Sequence, residues 1–251
     1  MGPRPNIDPA LAVRFVLVAP RSAGNVGAAA RALKNLGFGR LVLVAPECEL
    51  RSEAARSMAV DAADVLDRAQ VVGDLDLALT GASTVVGTSR REGRQRRPHF
   101  RLDELAPELG QLACAGELAV VFGCEPHGLA DSDLDRCTHL VHFLASGEFP
   151  SFNLAQSVLL VAYELRRALA GPVVRSARGI LADHAAREAL YAHLGEALFA
   201  ADFLKGDTAE GKMRRLRRIL GRALLTAGDV RVLRGIARQM LWLAGRSAPR
   251  R

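Results

Sequence analysis

The stretch FVLVAPRSAGNVGAAARALKNLGFGRLVLVAP, residues 15–46, decides the fold class of this chain. It holds two near-copies of one apolar hexapeptide, FVLVAP at 15–20 and LVLVAP at 41–46, with a segment of helical spacing between them. Neither copy alternates apolar with polar residues, and strands that are apolar on both faces are typical of a parallel sheet covered by helices. The stretch therefore predicts a strand, a crossover helix and a second, parallel strand.

The same alternation continues over the first 170 residues. Five apolar runs predict strands at 14–19, 41–45, 83–87, 118–122 and 139–144. Helical patterns occur at 25–36, 53–67, 102–109 and 153–170. Beyond Gly171-Pro172 only helical patterns recur, at 183–204, 209–225 and 228–244. We therefore predict an α/β domain over residues 1–170 and a small helical extension over residues 171–251.

The composition of the 251 residues is that of a globular protein, with 49% hydrophobic and 24% charged residues. No apolar run approaches the roughly 20 residues that a membrane span needs, and the first residues lack the apolar segment of a signal peptide. The four cysteines show no C-x-x-C spacing. We expect reduced thiols in a cytoplasmic protein, with no membrane partner and no bound metal.

The net charge of +7 is unevenly distributed. Residues 201–251 carry 13 Lys and Arg against 4 Asp and Glu, and a second basic cluster, SRREGRQRRPHFR, occupies residues 89–101. Concentrated arginine points to a polyanion such as RNA. A solvated arginine-rich surface is the alternative, and composition leaves both open. The arginines expected to contact RNA are Arg90, Arg91, Arg94, Arg214, Arg215, Arg217 and Arg218.

Small and polar residues follow four of the five predicted strands. They form the segments 20–25, 87–89, 123–128 and 146–153. Because the carboxyl ends of parallel strands share one edge of an open sheet, and ligands bind at that edge, the sequence predicts a site there.

The predicted first helix has an unusual face. Gly24, Gly27 and Arg31 are spaced by three and four residues, so they lie on one side of the helix, and Val26 and Leu33 lie on the other. Two glycines favour close approach of another backbone or of a ligand, with Arg31 presented above them. The alternative is that the glycines only tighten packing and Arg31 is solvated. Asn25 has its own alternative, as the N-cap of the helix.

Three segments carry a resemblance to a known family. GNVGAAARALKNLGF at 24–38, LAVVFGCEPHGLADSDLDRC at 118–137 and FPSFNLAQSVLLVAYELR at 149–166 resemble the motifs of SPOUT methyltransferases, and most of all those of the TrmJ-like tRNA 2′-O-ribose methyltransferases. The helical tail resembles the extension of that family. The resemblance implies a trefoil knot in the parallel-sheet domain, a homodimer, and S-adenosylmethionine-dependent methylation of tRNA at anticodon-loop position 32, on cytidine or uridine.

The resemblance also implies roles for individual residues. The positions that match the methyl-donor site are Thr88, Ser89, Gly123, Val141, Phe143, Ser151 and Phe152. The positions that match the active site are Asn25, Arg31, Glu125, Ser151 and Asn153. Arg31 would face the ribose hydroxyl, either as its base or as a cation that positions the nucleotide and stabilises the developing alkoxide.

The sequence leaves three alternatives to this function. Cys124 stands where the family often has arginine, so the chain is alternatively a non-catalytic RNA-binding relative. Its substrate is alternatively rRNA or another position in tRNA. A Rossmann-type dinucleotide enzyme is a third alternative, although the segment Gly24-Asn25-Val26-Gly27 lacks the G-x-G-x-x-G order.

Overall fold

The computed structural model describes residues 8–89, 99–125, 127–146, 151–170 and 180–247. The chain divides into two compact units, Met1–Ser176 and Ala177–Arg251. The first unit contains one seven-stranded sheet in the order β3-β2-β1-β6-β4-β7-β5, and each of its pairings is parallel. The strands are β1 Val13–Val18, β2 Leu41–Val44, β3 Gln70–Val72, β4 Thr84–Thr88, β5 His99–Arg101, β6 Leu118–Phe122 and β7 His139–His142.

The helices described in the first unit lie between these strands along the chain, except for α7, which follows the last strand. They are α1 Ala23–Asn35, α2 Glu53–Ala59, α3 Ala63–Asp67, α4 Leu75–Ala78, α5 Leu102–Ala115, α6 Asp131–Leu134 and α7 Leu154–Leu169. The predicted helix at 53–67 is wrong as a single element, because Val60 adopts a φ of +50° and α2 ends there. A short 3-10 turn, Val60–Ala62, separates α2 from α3.

The predicted parallel α/β fold is confirmed, and all five predicted strands are present. Side chains alternate between the two faces of each strand, so both faces of the sheet contribute to the core. On one face, Val16 packs in a cluster with Leu75 and Leu79. On the other, the ring of Phe15 lies 5.2 Å from that of Phe38 and 6.2 Å from that of Phe122. The central strands are therefore buried on both sides, as their apolar sequences require.

Gly27 explains part of the unusual face of α1. A Cβ atom at this buried position would lie 2.1 Å from the carbonyl oxygen of Ala55, which belongs to α2. The close approach that the spacing predicts is therefore made by α2 of the same chain. Gly27 is not open to RNA or to a partner chain, so the expectation of such an approach at this residue is wrong.

The second unit is a small helical domain. Its helices are α8 His184–Ala200, α9 Ala209–Gly221 and α10 Ala227–Ser247. Leu190, Leu225 and Val230 form its buried centre, and an antiparallel bridge joins Leu181 to Thr226. None of the helices in the described part of the chain has the length and apolarity to cross a membrane.

Candidate active site

The order of the strands brings the described residues of four polar segments to one edge of the sheet. β1, β6, β4 and β7 are consecutive neighbours, so their carboxyl ends lie side by side. Asn25 lies in the first turn of α1, which follows β1, and Glu125 lies in the loop after β6. Asn153 immediately precedes α7, the helix that comes after β7. The sheet therefore positions all three side chains from separate segments that follow β1, β6 and β7.

Hydrogen bonds join these three residues into one network. The Nδ2 atom of Asn25 donates to Oε1 of Glu125 over 2.5 Å, and Nδ2 of Asn153 donates to Oδ1 of Asn25 over 2.9 Å. Because an ionised carboxylate only accepts hydrogen bonds, Glu125 fixes which way the Asn25 amide points. The network therefore aligns three of the five predicted catalytic residues, which are far apart in the sequence.

The helix ends hold this network in place. The Ser22 hydroxyl oxygen accepts from the backbone N–H of Asn25 and caps α1, so the alternative of Asn25 as the N-cap is wrong. Asn153 caps α7: its Oδ1 accepts from the N–H of Ala155 over 2.8 Å, and its own N–H donates to Gln156. Asn153 thus links the start of α7 to Asn25 through one planar amide.

Arg21 and Glu47 border the network, and the sequence reasoning did not single them out as site residues. The backbone N–H of Arg21 donates to Oε2 of Glu125 over 3.3 Å, and its Nε donates to Oε2 of Glu47 over 2.8 Å. The two hexapeptides contained a signal for this pair. Phe15 pairs with Leu41 in the sheet, so Arg21 and Glu47 occupy equivalent positions after neighbouring strands.

Arg31 is not part of this network. It lies on α1 about 9 Å further along the helix axis than Asn25, because each residue adds about 1.5 Å. Its side chain is exposed and makes no hydrogen bond or ion pair with any residue that the structure describes. Ser151 is likewise exposed and has no such partner among the described residues. Both remain predicted site residues.

The residues expected to hold the methyl donor surround the ends of β6, β4 and β7. The Thr88 hydroxyl donates to the carbonyl oxygen of Val121 over 3.2 Å, and the backbone N–H of Ser89 donates to the carbonyl oxygen of Val141 over 2.9 Å. The rings of Phe143 and Phe152 meet edge to face, with centroids 5.4 Å apart. The described part of this edge thus combines an aromatic pair with polar groups. Residues 147–150 are not among the residues that the structure describes.

Gly123 is required by the protein's own backbone. A Cβ atom there would lie 2.0 Å from the carbonyl carbon of Gly128, because the loop after β6 folds back upon its start. Cys124 and Gly128 form a bridge, and the N–H of Gly128 donates to the carbonyl oxygen of Cys124 over 2.8 Å. This tight loop orients Glu125 towards Asn25.

A nearby thiol is affected by the charge of Glu125. Burial raises the pKa of Cys48, and the negative charge of Glu125 raises it further. A raised pKa keeps the thiol protonated at neutral pH, whereas nucleophilic cysteines have lowered values. Cys48 is therefore not expected to act as a nucleophile at this edge.

The predicted RNA-binding arginines of the tail differ in their surroundings. Arg217 makes a two-pronged ion pair with Glu188 on α8, both distances being 2.7 Å, and its guanidinium lies 4.6 Å from the ring centroid of Tyr191. Arg214 pairs with Glu210, and Arg218 also has a partner, whereas Arg215 has none among the described residues. Arg90, Arg91 and Arg94 lie outside the described residues.

Comparison with known proteins gives the family of this chain. Residues 12–163 match the SpoU rRNA Methylase family. The chain belongs to the SpoU methylase family. Residues 185–250 match the C-terminal domain of the tRNA methyltransferase TrmJ. The family predicted from the three motifs is therefore confirmed, and with it the class of enzyme.

The relatives of this SpoU-family chain extend over most of its length. It is 38% identical over 238 residues to the tRNA (cytidine/uridine/adenosine-2′-O-)-methyltransferase TrmJ of Pseudomonas aeruginosa, covering 89% of this chain and 91% of the relative. The crystal structure of TrmJ from Z. mobilis ZM4 is 28% identical, has a TM-score of 0.77 and covers 90% of this chain and 98% of its own. A structure concerning 2-OH methylation of C/U34 on tRNA is 27% identical and has a TM-score of 0.51. The match covers 64% of this chain and 97% of the chain in that structure.

Proposed function

We propose that this protein methylates the 2′-hydroxyl of a cytidine or uridine in tRNA, at anticodon-loop position 32, using S-adenosylmethionine. The observation that carries the proposal is the network of Asn25, Glu125 and Asn153 at the carboxyl edge of a SpoU-family sheet. The network lies on the strand ends that also position the residues expected to hold the donor.

The residues at the ends of β4, β6 and β7 fit such a donor. Its adenosine needs apolar surface and backbone hydrogen-bond groups. Phe143 and Phe152 supply an aromatic pair, and Leu144 beside them is 75% exposed. Thr88 adds a hydroxyl at the end of β4. When bound, S-adenosylmethionine supplies a methyl group attached to a positively charged sulfur.

The protein's own contribution concerns the acceptor. A ribose hydroxyl is hardly ionised at neutral pH, so the site must orient it and stabilise the negative charge that develops on its oxygen. Glu125 orients the Asn25 amide, and Asn153 completes the hydrogen bonding of that amide. A guanidinium such as that of Arg31 stabilises an alkoxide, and its planar donors also grip phosphate.

A homodimer accounts for the separation of Arg31 from the network. α7 buries one side within its own unit but leaves Leu159 45% and Tyr163 56% exposed. Exposed apolar side chains that lie one turn apart on a helix are typical of a surface that another chain covers. We propose that two copies associate through α7, and that Arg31 of the partner subunit completes each site.

Mixing two inactive variants tests this shared site. Arg31→Ala and Asn25→Ala each disable the enzyme, but a mixed dimer contains one site with both native residues if the residues come from different chains. Refolding equal amounts together should restore roughly a quarter of the native rate, because half of the dimers are mixed and one of their two sites works. No recovery in dimers shown to be mixed means that both residues act in the same chain.

A second candidate position, 34, is favoured by the structure concerning C/U34. That structure covers only 64% of this chain, however, whereas the TrmJ C-terminal domain matches residues 185–250. The presence of this domain supports position 32, which is the position that the TrmJ-like resemblance implies.

Labelled methyl transfer to synthetic tRNA tests activity and position together. A 2′-deoxyribose at position 32 should abolish incorporation, and a 2′-deoxyribose at position 34 should leave it unchanged. The opposite pattern assigns the enzyme to position 34. Incorporation into rRNA but not into tRNA contradicts the proposed substrate, and failure to label either RNA supports the non-catalytic alternative. Nucleoside mass spectrometry of tRNA from a strain that lacks the protein provides the cellular counterpart.

A further inference from the structure

One face of α10 carries three arginines without internal partners. Arg231, Arg234 and Arg238 are spaced by three and four residues, so they lie along one side of the helix. All three are exposed, and none forms an ion pair or hydrogen bond with the residues that the structure describes. From Val230 to the end of α10 the sequence contains no acidic residue. Their positive charge is therefore uncompensated on this face.

Two arginines of α9 are paired within their own unit. Arg217 is tied to Glu188 and Tyr191, which holds α9 against α8, and Arg214 pairs with Glu210 on its own helix. Such pairs satisfy guanidinium groups that would otherwise be available to a ligand. Arg215 of α9 is exposed and has no partner among the described residues, but it is not part of a row of three. A count of charges treats every arginine of the tail alike, whereas the described structure has a row of three unpaired arginines on α10.

The row ends at the only tryptophan of the chain. Trp242 follows Arg238 by four residues, so it continues the same face one turn further on. Its side chain is 51% exposed, and the guanidinium of Arg246 lies 4.5 Å from the centroid of its ring. From Arg231 to Trp242 the row extends about 16 Å along the helix axis.

We infer that this face of α10 binds single-stranded or loop RNA, with phosphates along Arg231, Arg234 and Arg238 and an unpaired base stacked on Trp242. Guanidinium groups bind phosphate through planar, charge-assisted hydrogen bonds. Aromatic side chains next to a positively charged row form the platform on which exposed bases stack. The inference rests on the proposed function, because the RNA in question is the tRNA substrate.

Two triple variants of the full-length protein test the row. Arg231→Gln, Arg234→Gln and Arg238→Gln remove three charges from α10. The control, Lys205→Gln, Lys212→Gln and Arg222→Gln, is called the α9 variant and removes the same charge around α9 at residues that are not predicted to contact RNA. Binding of a tRNA transcript is measured without S-adenosylmethionine, so the result does not depend on methylation. Circular dichroism of both variants checks that they keep the helical content of the wild-type protein.

The salt dependence of binding identifies phosphate contacts. Three lost contacts should lower the slope of log Kd against log salt by about 2.1 to 2.7. Between 50 and 200 mM salt, the wild-type affinity should therefore fall about 20- to 40-fold more than that of the α10 variant. The α9 variant should keep the wild-type slope. Equal losses of slope in both variants would overturn the inference, since net charge alone then explains the binding.

The single tryptophan reports stacking directly. Saturation with the tRNA transcript should quench the fluorescence of the wild-type protein, and Trp242→Leu should weaken binding about fivefold or more without changing the salt slope. Unchanged fluorescence at saturation contradicts stacking. Quenching by vesicles of anionic phospholipid but not by tRNA would show that the face binds lipid instead.

Two combined results distinguish the RNA-binding face from the methylation activity. A protein that binds tRNA through α10 yet methylates no ribose refutes the proposed function and leaves the RNA-binding face intact. A protein that methylates tRNA normally, with the α10 variant binding as tightly as wild type at every salt concentration, refutes the inference alone.

Discussion

Gly27→Ala should destabilise the protein because the new methyl group has no space. Its Cβ atom would lie 2.1 Å from the carbonyl oxygen and 2.9 Å from the carbonyl carbon of Ala55, and 3.1 Å from the amide nitrogen of Ala59. All three atoms belong to the backbone of α2, so no side-chain rotation relieves the contact. The two helices must separate instead.

The size of the effect follows from two opposing terms. Inserting a methyl group into a packed core costs about 1–3 kcal/mol, and a clash with backbone belongs at the upper end. Alanine in place of glycine within a helix returns about 1 kcal/mol. We therefore expect Gly27→Ala to lower the free energy of unfolding by about 2 kcal/mol. For a unit of this size, that corresponds to a Tm lower by about 4–8 °C.

Gly24→Ala is the matched control on the same helix. Its Cβ would meet the Cγ of Met58 at 3.6 Å, which is an ordinary contact with a flexible side chain. This variant should unfold at the native midpoint or slightly above it. Thermal and urea unfolding, followed by circular dichroism, compare the two variants. Equal midpoints for both would refute the close packing of α1 on α2.

The same pair of variants tests the link between packing and the site. Asn25 lies between the two glycines, in the first turn of the helix that Gly27 holds against α2. Displacing α1 shifts the Asn25 amide relative to Glu125, so methylation at a temperature where both variants are folded should fall in Gly27→Ala and persist in Gly24→Ala.

Three further outcomes are expected. Arg31→Ala should leave folding and donor binding nearly intact but abolish turnover. Arg31→Lys should retain turnover only if the positive charge matters and the planar geometry of the guanidinium does not. Single-turnover rates at saturating tRNA and donor distinguish these two roles of Arg31. Leu159→Glu with Tyr163→Ala should convert a dimer into monomers by light scattering, and a wild-type protein that is monomeric at micromolar concentration contradicts the dimer. Deleting residues 171–251 should weaken tRNA binding and flatten its salt dependence while S-adenosylmethionine binding survives, and unchanged affinity for tRNA would make the tail a solvated surface.

The interior of the sheet was predictable because its strands are apolar on both faces. The two missed strands, β3 and β5, are three residues long and lie at the outer edges of the sheet. Two of the three residues of β3 are exposed, and one of them is the apolar Val71. A strand of this kind is defined by its hydrogen bonds to one neighbour, and apolar runs give no signal for it.

The position of the site was predictable, but the pairing of its residues was not. Parallel strands end at one edge, which is why Asn25 and Glu125 were expected to lie near each other. Their hydrogen bond depends on the fold-back of the loop at Gly123, and nothing in the spacing of the sequence specifies it. Helical spacing likewise could not show that Arg217 would pair with Glu188, because that acid belongs to another helix.

Cys124 is the residue that leaves a non-catalytic relative open, and its contacts do not disturb the network of Asn25, Glu125 and Asn153. The backbone of Cys124 forms a bridge with Gly128, and its sulfur lies 3.9 Å from the carbonyl oxygen of Gly128. Neither contact involves the side chain of Glu125, which still accepts from Asn25 and from the N–H of Arg21. Cysteine at this position therefore removes a cation from the loop without disturbing the hydrogen bonds beside it. We therefore expect Cys124→Arg, which restores a cation to this loop, to strengthen the binding of tRNA and to leave the methyl-transfer rate at saturating tRNA unchanged.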